Sequence, residues 1–444
     1  MYFKTQTLDA LTAKHQGKTL ADVGTRPKLP FGLFEEPQNT SLETLIKGVN
    51  SIDLDRPLDD EVKAHIQHVI AVKFTKDGVS RLAECPNIRK IEYKDEKSAT
   101  LPKEVTSVPT LEVLQLHHNK KFKALHKNLT LAAQLRALKI TQLQNLQDIS
   151  AIKALQDLTY LELYNTTKLK DYEPLLALEK LEHLRLESIS LDTCQDTLTK
   201  LRPLHSLELA NCCYMEEDQS LLYAIIDAHK DTLKSLGVQS CKLFNKPLPP
   251  MPHLQELDMD GASLLHADTF AQMPSLLALD LHYFDAETLP SSLEALSKLE
   301  LLKLSSARAL TVEGAKVLGQ LQNLKYLDLS RTSLTALPDD LQNLKHLEAL
   351  DLSEASDLQD LSVLEKMTSL KYLIVGSFKQ QQQIEKIVLG LPNIEEVVVS
   401  PEIDIQPLAQ SPSLKRVSLG YGSYTQEQVG PNFTPYYSTA FRNP

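Results

Sequence analysis

The stretch from Leu324 to Leu352 states one pattern twice. Leu324, Leu327 and Leu329 form L-x-x-L-x-L, and Leu347, Leu350 and Leu352 form it again about 23 residues later. Between the two copies Thr335-Ala-Leu-Pro-Asp-Asp-Leu341 turns the chain back. One such unit cannot bury its own leucines, so its copies must stack. The same core begins near Ile88, Leu111, Leu135, Leu158, Leu181, Leu204, Leu233, Leu254, Leu276, Leu299, Leu324, Leu347, Leu370, Ile394 and Leu414. That is about fifteen units, mostly roughly 20–25 residues apart, within the spacing of repeat arrays. A length of 444 residues would otherwise suggest about three ordinary domains, but an array grows in one dimension, each unit touching only its neighbours.

This pattern resembles the leucine-rich-repeat superfamily, from about Ile88 to Gly422. The resemblance implies an α/β fold: a leucine-rich-repeat solenoid, or horseshoe, with a continuous parallel β-sheet on its concave face and a mostly 3₁₀ or short helical convex side. Leu111-Glu-Val-Leu114-Gln-Leu116-His-His-Asn119 matches the family consensus through its asparagine, which implies that Asn119 satisfies backbone groups inside the following turn. Cys212 and Cys241 occupy the same consensus position and read as buried turn residues. Returns such as Asp148–Leu155 and Asp360–Met367 resemble internalin-like bacterial repeats, and Leu101-Pro102, Leu289-Pro290 and Leu337-Pro338 resemble the LPxxL subtype. Apolar residues at 221, 222, 225, 226 and 228 predict a helix over Gln219–Lys230, and Thr311–Gly319 predicts another. The glutamines 380–383 are expected in a return loop. The expected organisation is an irregular N-terminal cap or small module over 1–65, the solenoid over 66–422, and an aromatic cap or tail over 423–444.

Charge narrows the partners. Lys+Arg is 47 and Asp+Glu is 58, a formal net charge of −11, which disfavours a phosphate backbone as partner. The best basic stretch, Lys120-Lys121-Phe122-Lys123 with Lys127, reads as a solvated return loop. No apolar run approaches the roughly 20 residues needed to span a bilayer, and the first residues lack a signal-peptide core. The five cysteines form no C-x-x-C pair, so a reducing cytoplasm is expected, with export of an effector lacking a Sec-type signal as the alternative. The N-x-S/T sequons at Asn39, Asn128, Asn165 and Asn432 are then chance matches.

Side chains alternate across a strand, so positions 3, 5 and 7 of each core face away from the leucines. Two patches emerge there. Tyr160, Glu162, Tyr164, His183 and Arg185 share adjacent repeats, and Tyr and Arg are typical of binding hot spots. Asp258, Asp260 and Asp280, with His282, then Tyr326, Asp328 and Asp351, form an acidic patch interrupted by Lys303, which predicts a partner with a basic contact surface. Asp258, Asp260, Asp280 and His282 also make a square with cation-ligand chemistry, but the simpler reading is outward decoration, and no metal or other cofactor is expected. No catalytic fingerprint appears, and about twenty residues after the last repeat leave no room for an appended enzyme. The expected function is therefore a non-enzymatic scaffold binding a protein partner through the concave face. The alternatives are a secreted bacterial effector engaging a host protein and an inhibitory or regulatory subunit docking on an enzyme.

Overall fold

Each core produces a strand that starts two residues after its first leucine or isoleucine. In the computed structural model, which describes residues 68–71, 81–94, 98–212, 218–241, 243–244, 246–261 and 264–419, this holds from Ile88 to Leu414. The segment 1–65, the tail 423–444, the sequons at Asn39 and Asn432, and Cys213 lie outside the described residues.

The chain divides into two compact units, with the boundary between Val238 and Gln239. The first holds β1 His68–Ala71, β2 Lys90–Tyr93, β3 Val113–His117, β4 Ala137–Thr141, β5 Tyr160–Tyr164, β6 His183–Glu187, β7 Ser206–Ala210 and β8 Ser235–Gly237, each parallel to the next. The second begins with the two-residue strands β9 Leu243–Phe244 and β11 Leu264–Leu265, which pair with each other. Its main ladder is β10 Glu256–Asp258, β12 Ala278–Asp280, β13 Leu301–Lys303, β14 Tyr326–Asp328, β15 Ala349–Asp351, β16 Tyr372–Val375, β17 Glu396–Val399 and β18 Arg416–Leu419, again parallel throughout. Register is strict: equivalent positions of successive repeats face each other, as in Tyr326↔Ala349↔Tyr372. The leucines at positions 1, 4 and 6, such as Leu324, Leu327 and Leu329, are fully buried between the ladder and the returns.

The returns are mostly single 3₁₀ turns, and their starts are encoded locally. Where Asp precedes the turn, its Oδ1 accepts the N–H two residues on, as from Asp148 to Ser150 (2.7 Å) and Asp360 to Ser362 (2.8 Å). Where Leu-Pro precedes it, Pro290 or Pro338 sets the entry with φ near −58°. Among the described residues the α-helices are α1 Lys103–Thr106, α2 Gln195–Leu198, α3 Asp218–His229 and α4 Gln381–Gly390. In α3 Leu222, Ile225 and Ile226 are buried, while Ala228 is exposed and His229 takes the inward place beside it. His229 Nδ1 accepts the Leu204 N–H (3.3 Å) and Nε2 donates to the Leu198 carbonyl (2.9 Å); burial lowers its pKa, so it is a neutral clamp.

Two return segments differ from expectation. The glutamine run opens α4 instead of a loop, because Ile384, Ile387 and Val388 form an inward face at helical spacing. Thr311–Gly319 is not an α-helix but turns followed by a 3₁₀ helix over Lys316–Gln320. The cause is close approach. Thr311 N and Oγ1 both donate to the Glu287 carbonyl at 3.0 Å, and a Cβ on Gly314 would lie 2.0 Å from that oxygen. Gly314→Ala should therefore cost about 1–3 kcal/mol by overpacking, read as a lower urea midpoint.

A further regularity follows every strand from β3 onward for most of the array. Position 8 has positive φ at His118, Gln142, Asn165, Ser188 and Asn211 in the first unit, and at Ser240, Gly261, Tyr283, Ser306, Arg331 and Glu354 in the second. This left-handed residue turns its N–H onto the position-7 carbonyl of the next repeat: Ser188 to Ala210 at 2.9 Å, Tyr283 to Ser305 at 2.9 Å and Arg331 to Ser353 at 2.9 Å. Non-glycine residues pay about 1–2 kcal/mol there, and β-branched ones more. Ser188→Val is expected to lower stability by about that amount and Ser188→Gly to leave it equal or slightly raised, measured as urea midpoints.

Candidate binding surface on the strand face

In the first unit the register brings the first patch together: Tyr160 lies beside His183, Glu162 beside Arg185, and Tyr164 beside Glu187. These residues are already engaged with one another. Tyr160 is 4% exposed, and its hydroxyl donates to Glu162 Oε2 at 2.7 Å. Lys139 Nζ reaches the same oxygen at 3.1 Å and stands 5.8 Å from the Tyr160 ring centroid, a cation–π distance. Burial opposes ionisation of Glu162, yet Lys139, Arg185 and the Tyr160 hydroxyl outweigh it and hold its pKa below the ordinary value. Arg185 bridges Glu187 (2.7 Å) and Glu208. Glu208 can fold inward because its neighbour across the ladder is Gly237, where a Cβ would meet Glu208 Cγ at 2.8 Å. His183 is buried and its pKa is lowered to about 4, mainly by burial, so it is uncharged at neutral pH. Tyr164 is half-buried.

The second patch lies in the second unit. The ladder aligns Asp258, Asp280, Lys303, Asp328 and Asp351 in one column. The sequence suggests a solvated acidic surface, but Asp280, Asp328 and Asp351 are nearly buried. The reason is local: each short side chain bends back so that Oδ1 accepts the backbone N–H two residues on, at His282 (2.9 Å), Ser330 (2.8 Å) and Ser353 (2.8 Å). Asp258 does the same to Asp260 at 3.1 Å, and Gln239 donates to its other oxygen. Lys303 Nζ lies 3.5 Å from Asp280 Oδ2. Burial raises the pKa of Asp280 and Asp351, and burial with the neighbouring Asp351 raises that of Asp328 to about 7. His282 hydrogen-bonds through Nδ1 to Ser305 Oγ, and burial lowers its pKa to about 4. Among the described residues no group of three or more His, Cys, Asp or Glu is arranged to hold a metal ion.

Three further features mark the strand ladders. Position 3 of the second unit is an apolar stripe, Leu301, Tyr326, Ala349 and Tyr372, with Ala278 at its edge. Position 2 alternates in charge along the strand entrances, giving Arg89–Glu112 (2.8 Å), Glu300–Lys325 (2.8 Å), Glu348–Lys371 (3.1 Å) and Glu395–Lys415 (2.9 Å). That alternation is visible in the sequence once position 2 is written out as a column. Tyr283, at a left-handed position 8, is 49% exposed and packs edge-on against His282 at 4.1 Å.

The consensus turn residues behave as the resemblance implies. Asn119 Oδ1 accepts the N–H groups of Lys121 (2.8 Å) and Phe122 (3.1 Å), and Nδ2 donates to Ser98 O (2.9 Å). Cys212 is buried and donates to the Ala210 carbonyl at 3.2 Å, and Cys241 is buried. Burial pushes the Cys194 thiol up to about 12, the opposite of an activated nucleophile. Among the described residues no helix is long and apolar enough to cross a membrane.

Residues 302–358 match the family model for the leucine rich repeat. Similar solved structures include an internalin of Listeria monocytogenes, at 18% identity over 81% of this chain and 88% of that one, with a TM-score of 0.40. An LRR protein of Leptospira interrogans is 18% identical over 80% of this chain and 97% of that one, with a TM-score of 0.42. A TLR13–ssRNA13 complex aligns at 17% identity over 83% of this chain and 59% of that one, with a TM-score of 0.44. No curated protein matches the sequence.

Proposed function

From the premise that the chain is a leucine-rich-repeat protein, we propose that it is a non-enzymatic scaffold that binds a protein partner through the open face of the strand ladder in its second unit. The observation that carries this reading is the column Asp280, Asp328 and Asp351, three nearly buried carboxylates that share their column with one lysine, Lys303, and lie beside an apolar stripe. Such a column is held at an electrostatic cost that an approaching cation relieves, while the stripe offers the desolvated contact area that a protein surface uses. A basic protein surface fits both. A nucleic acid does not, since the column and the net charge of −11 repel phosphate. The patch around Tyr160 plays a different part: its two cations and three carboxylates pair with one another and stiffen the first ladder. A rigid ladder loses little entropy on binding, which suits recognition. The four described cysteines are buried thiols, which fits a reducing compartment.

The test is crosslinking capture with the full-length chain beside the variant Asp280→Asn, Asp328→Asn, Asp351→Asn. Asparagine keeps the oxygen that accepts the turn N–H, so the fold is preserved. A partner captured by the native chain and lost by the variant is the expected result. Capture of the same partner by a folded variant would refute the reading.

A further inference from the structure

The two units contain the same constellation at the same register with one difference. In the first, Tyr160 at position 3 and Glu162 at position 5 are flanked in the position-5 column by Lys139 on the preceding strand and Arg185 on the following one. In the second, Tyr326 and Asp328 are flanked by Lys303 on the preceding strand and by Asp351 on the following one. The order of charges changes from plus, minus, plus to plus, minus, minus. The cation that completes the first site is replaced in the second by another carboxylate.

Among the described residues the two nearest cations, Lys303 and Arg331, each already hold a carboxylate partner. Lys303 pairs with Asp280 at 3.5 Å. The Arg331 guanidinium, which acts on Asp351 from the adjoining turn, is held by both oxygens of Glu354, at 2.6 and 3.0 Å. Beyond Asp351 the column turns apolar with Ile374 and Val398. The Tyr326 phenol also differs from its counterpart in the first unit. It is only 4% exposed and lies in the fields of Asp328, Asp351 and Asp280, yet its hydroxyl has no hydrogen-bond partner among the described residues. Its counterpart Tyr160 donates to Glu162, a longer side chain that reaches the phenol.

We infer that the Tyr326–Asp328–Asp351 site is completed in trans by a cationic side chain, an arginine of the protein partner, seated between the two carboxylates and against the Tyr326 ring as Lys139 sits against Glu162 and Tyr160. This rests on the proposed function and names the group that the partner inserts. Arginine fits better than a free inorganic cation or polyamine. Its planar fork donates to two carboxylates at once, and its stem lies along the stripe of Leu301, Tyr326, Ala349 and Tyr372.

The experiment uses a fluorescent peptide of alternating arginine and leucine, titrated into the full chain at low ionic strength and followed by anisotropy. Asp351→Asn, which keeps the acceptor for the Ser353 N–H, should weaken binding by about tenfold. Asp351→Arg, which restores the first unit's order of charges, should abolish it. Asp268→Asn, at an exposed return residue outside the strand ladder, should change affinity by less than about twofold. Replacing the peptide's arginines by citrulline should abolish binding, and spermine should compete poorly. An affinity unchanged in Asp351→Asn would overturn the inference while leaving an acidic binding face standing. So would a peptide that fails to bind the native chain, or spermine binding as tightly as the peptide. Partner capture, measured separately, decides the broader reading.

Discussion

Arg185→Met is expected to lose about 3–5 kcal/mol of stability, the range seen when one member of a buried ionic network is removed. The Arg185 side chain is only 16% exposed and its guanidinium bonds Glu187 and Glu208, with Glu162 directly across the ladder. Methionine keeps most of the stem, so the loss is chiefly Glu187 and Glu208 stripped of the Arg185 guanidinium, while Glu162 keeps Lys139. Adding Glu187→Gln and Glu208→Gln to Arg185→Met should recover at least half of it, since the repulsion is then gone. The readout is the urea midpoint at constant slope. A loss below about 1 kcal/mol would place the network with exposed surface pairs and refute its rigidifying part.

Asp328→Asn is expected to act in the opposite direction and only at higher pH. In the native chain the Asp328 carboxyl titrates near 7, against an ordinary value near 4, so the folded state holds a proton that the unfolded state has released. The contribution of this one group is then most favourable at low pH and falls as pH rises from about 4 through about 7. The charged and titratable groups around it are Asp280, Lys303, Tyr326 and Asp351, with Arg331 and Glu354 on the adjoining turns. Asparagine keeps the oxygen that accepts the Ser330 N–H and removes the charge. The variant should therefore exceed the native chain by about 2–4 kcal/mol near pH 8, with the gap closing toward about pH 4. Parallel urea titrations across that range check it. A gap independent of pH would mean that Asp328 is ionised throughout.

These two residues also mark what is legible in the sequence. Which side chains share a face follows from the period of two along a strand and equal spacing between repeats, so the columns containing Arg185 and Asp328 follow from the order of residues alone. Their environments do not. Strands sit close enough that one column shields the next, and a short Asp turns back to its own backbone where a long Glu reaches across to a neighbour. That is why Glu162 finds a lysine, an arginine and a phenol while Asp328 finds the Ser330 N–H. The Gln381–Gly390 helix is hidden for another reason: its polar run masks the Ile384, Ile387 and Val388 face. Position 8 is invisible because what it requires is a backbone conformation, met here by His, Gln, Asn, Ser, Gly, Tyr, Arg and Glu alike.

That indifference to residue type has a consequence for how the array can be altered. The coupling between one turn and the next at this point is main chain to main chain, from Gln142 to Tyr164 (2.8 Å) as from Ser306 to Ser330 (2.8 Å). A joint that reads no side chain is the same joint wherever it occurs. Whole turns can then be excised or duplicated between two such joints without a new connector, so the length of the ladder is an adjustable quantity, set apart from the chemistry displayed along it.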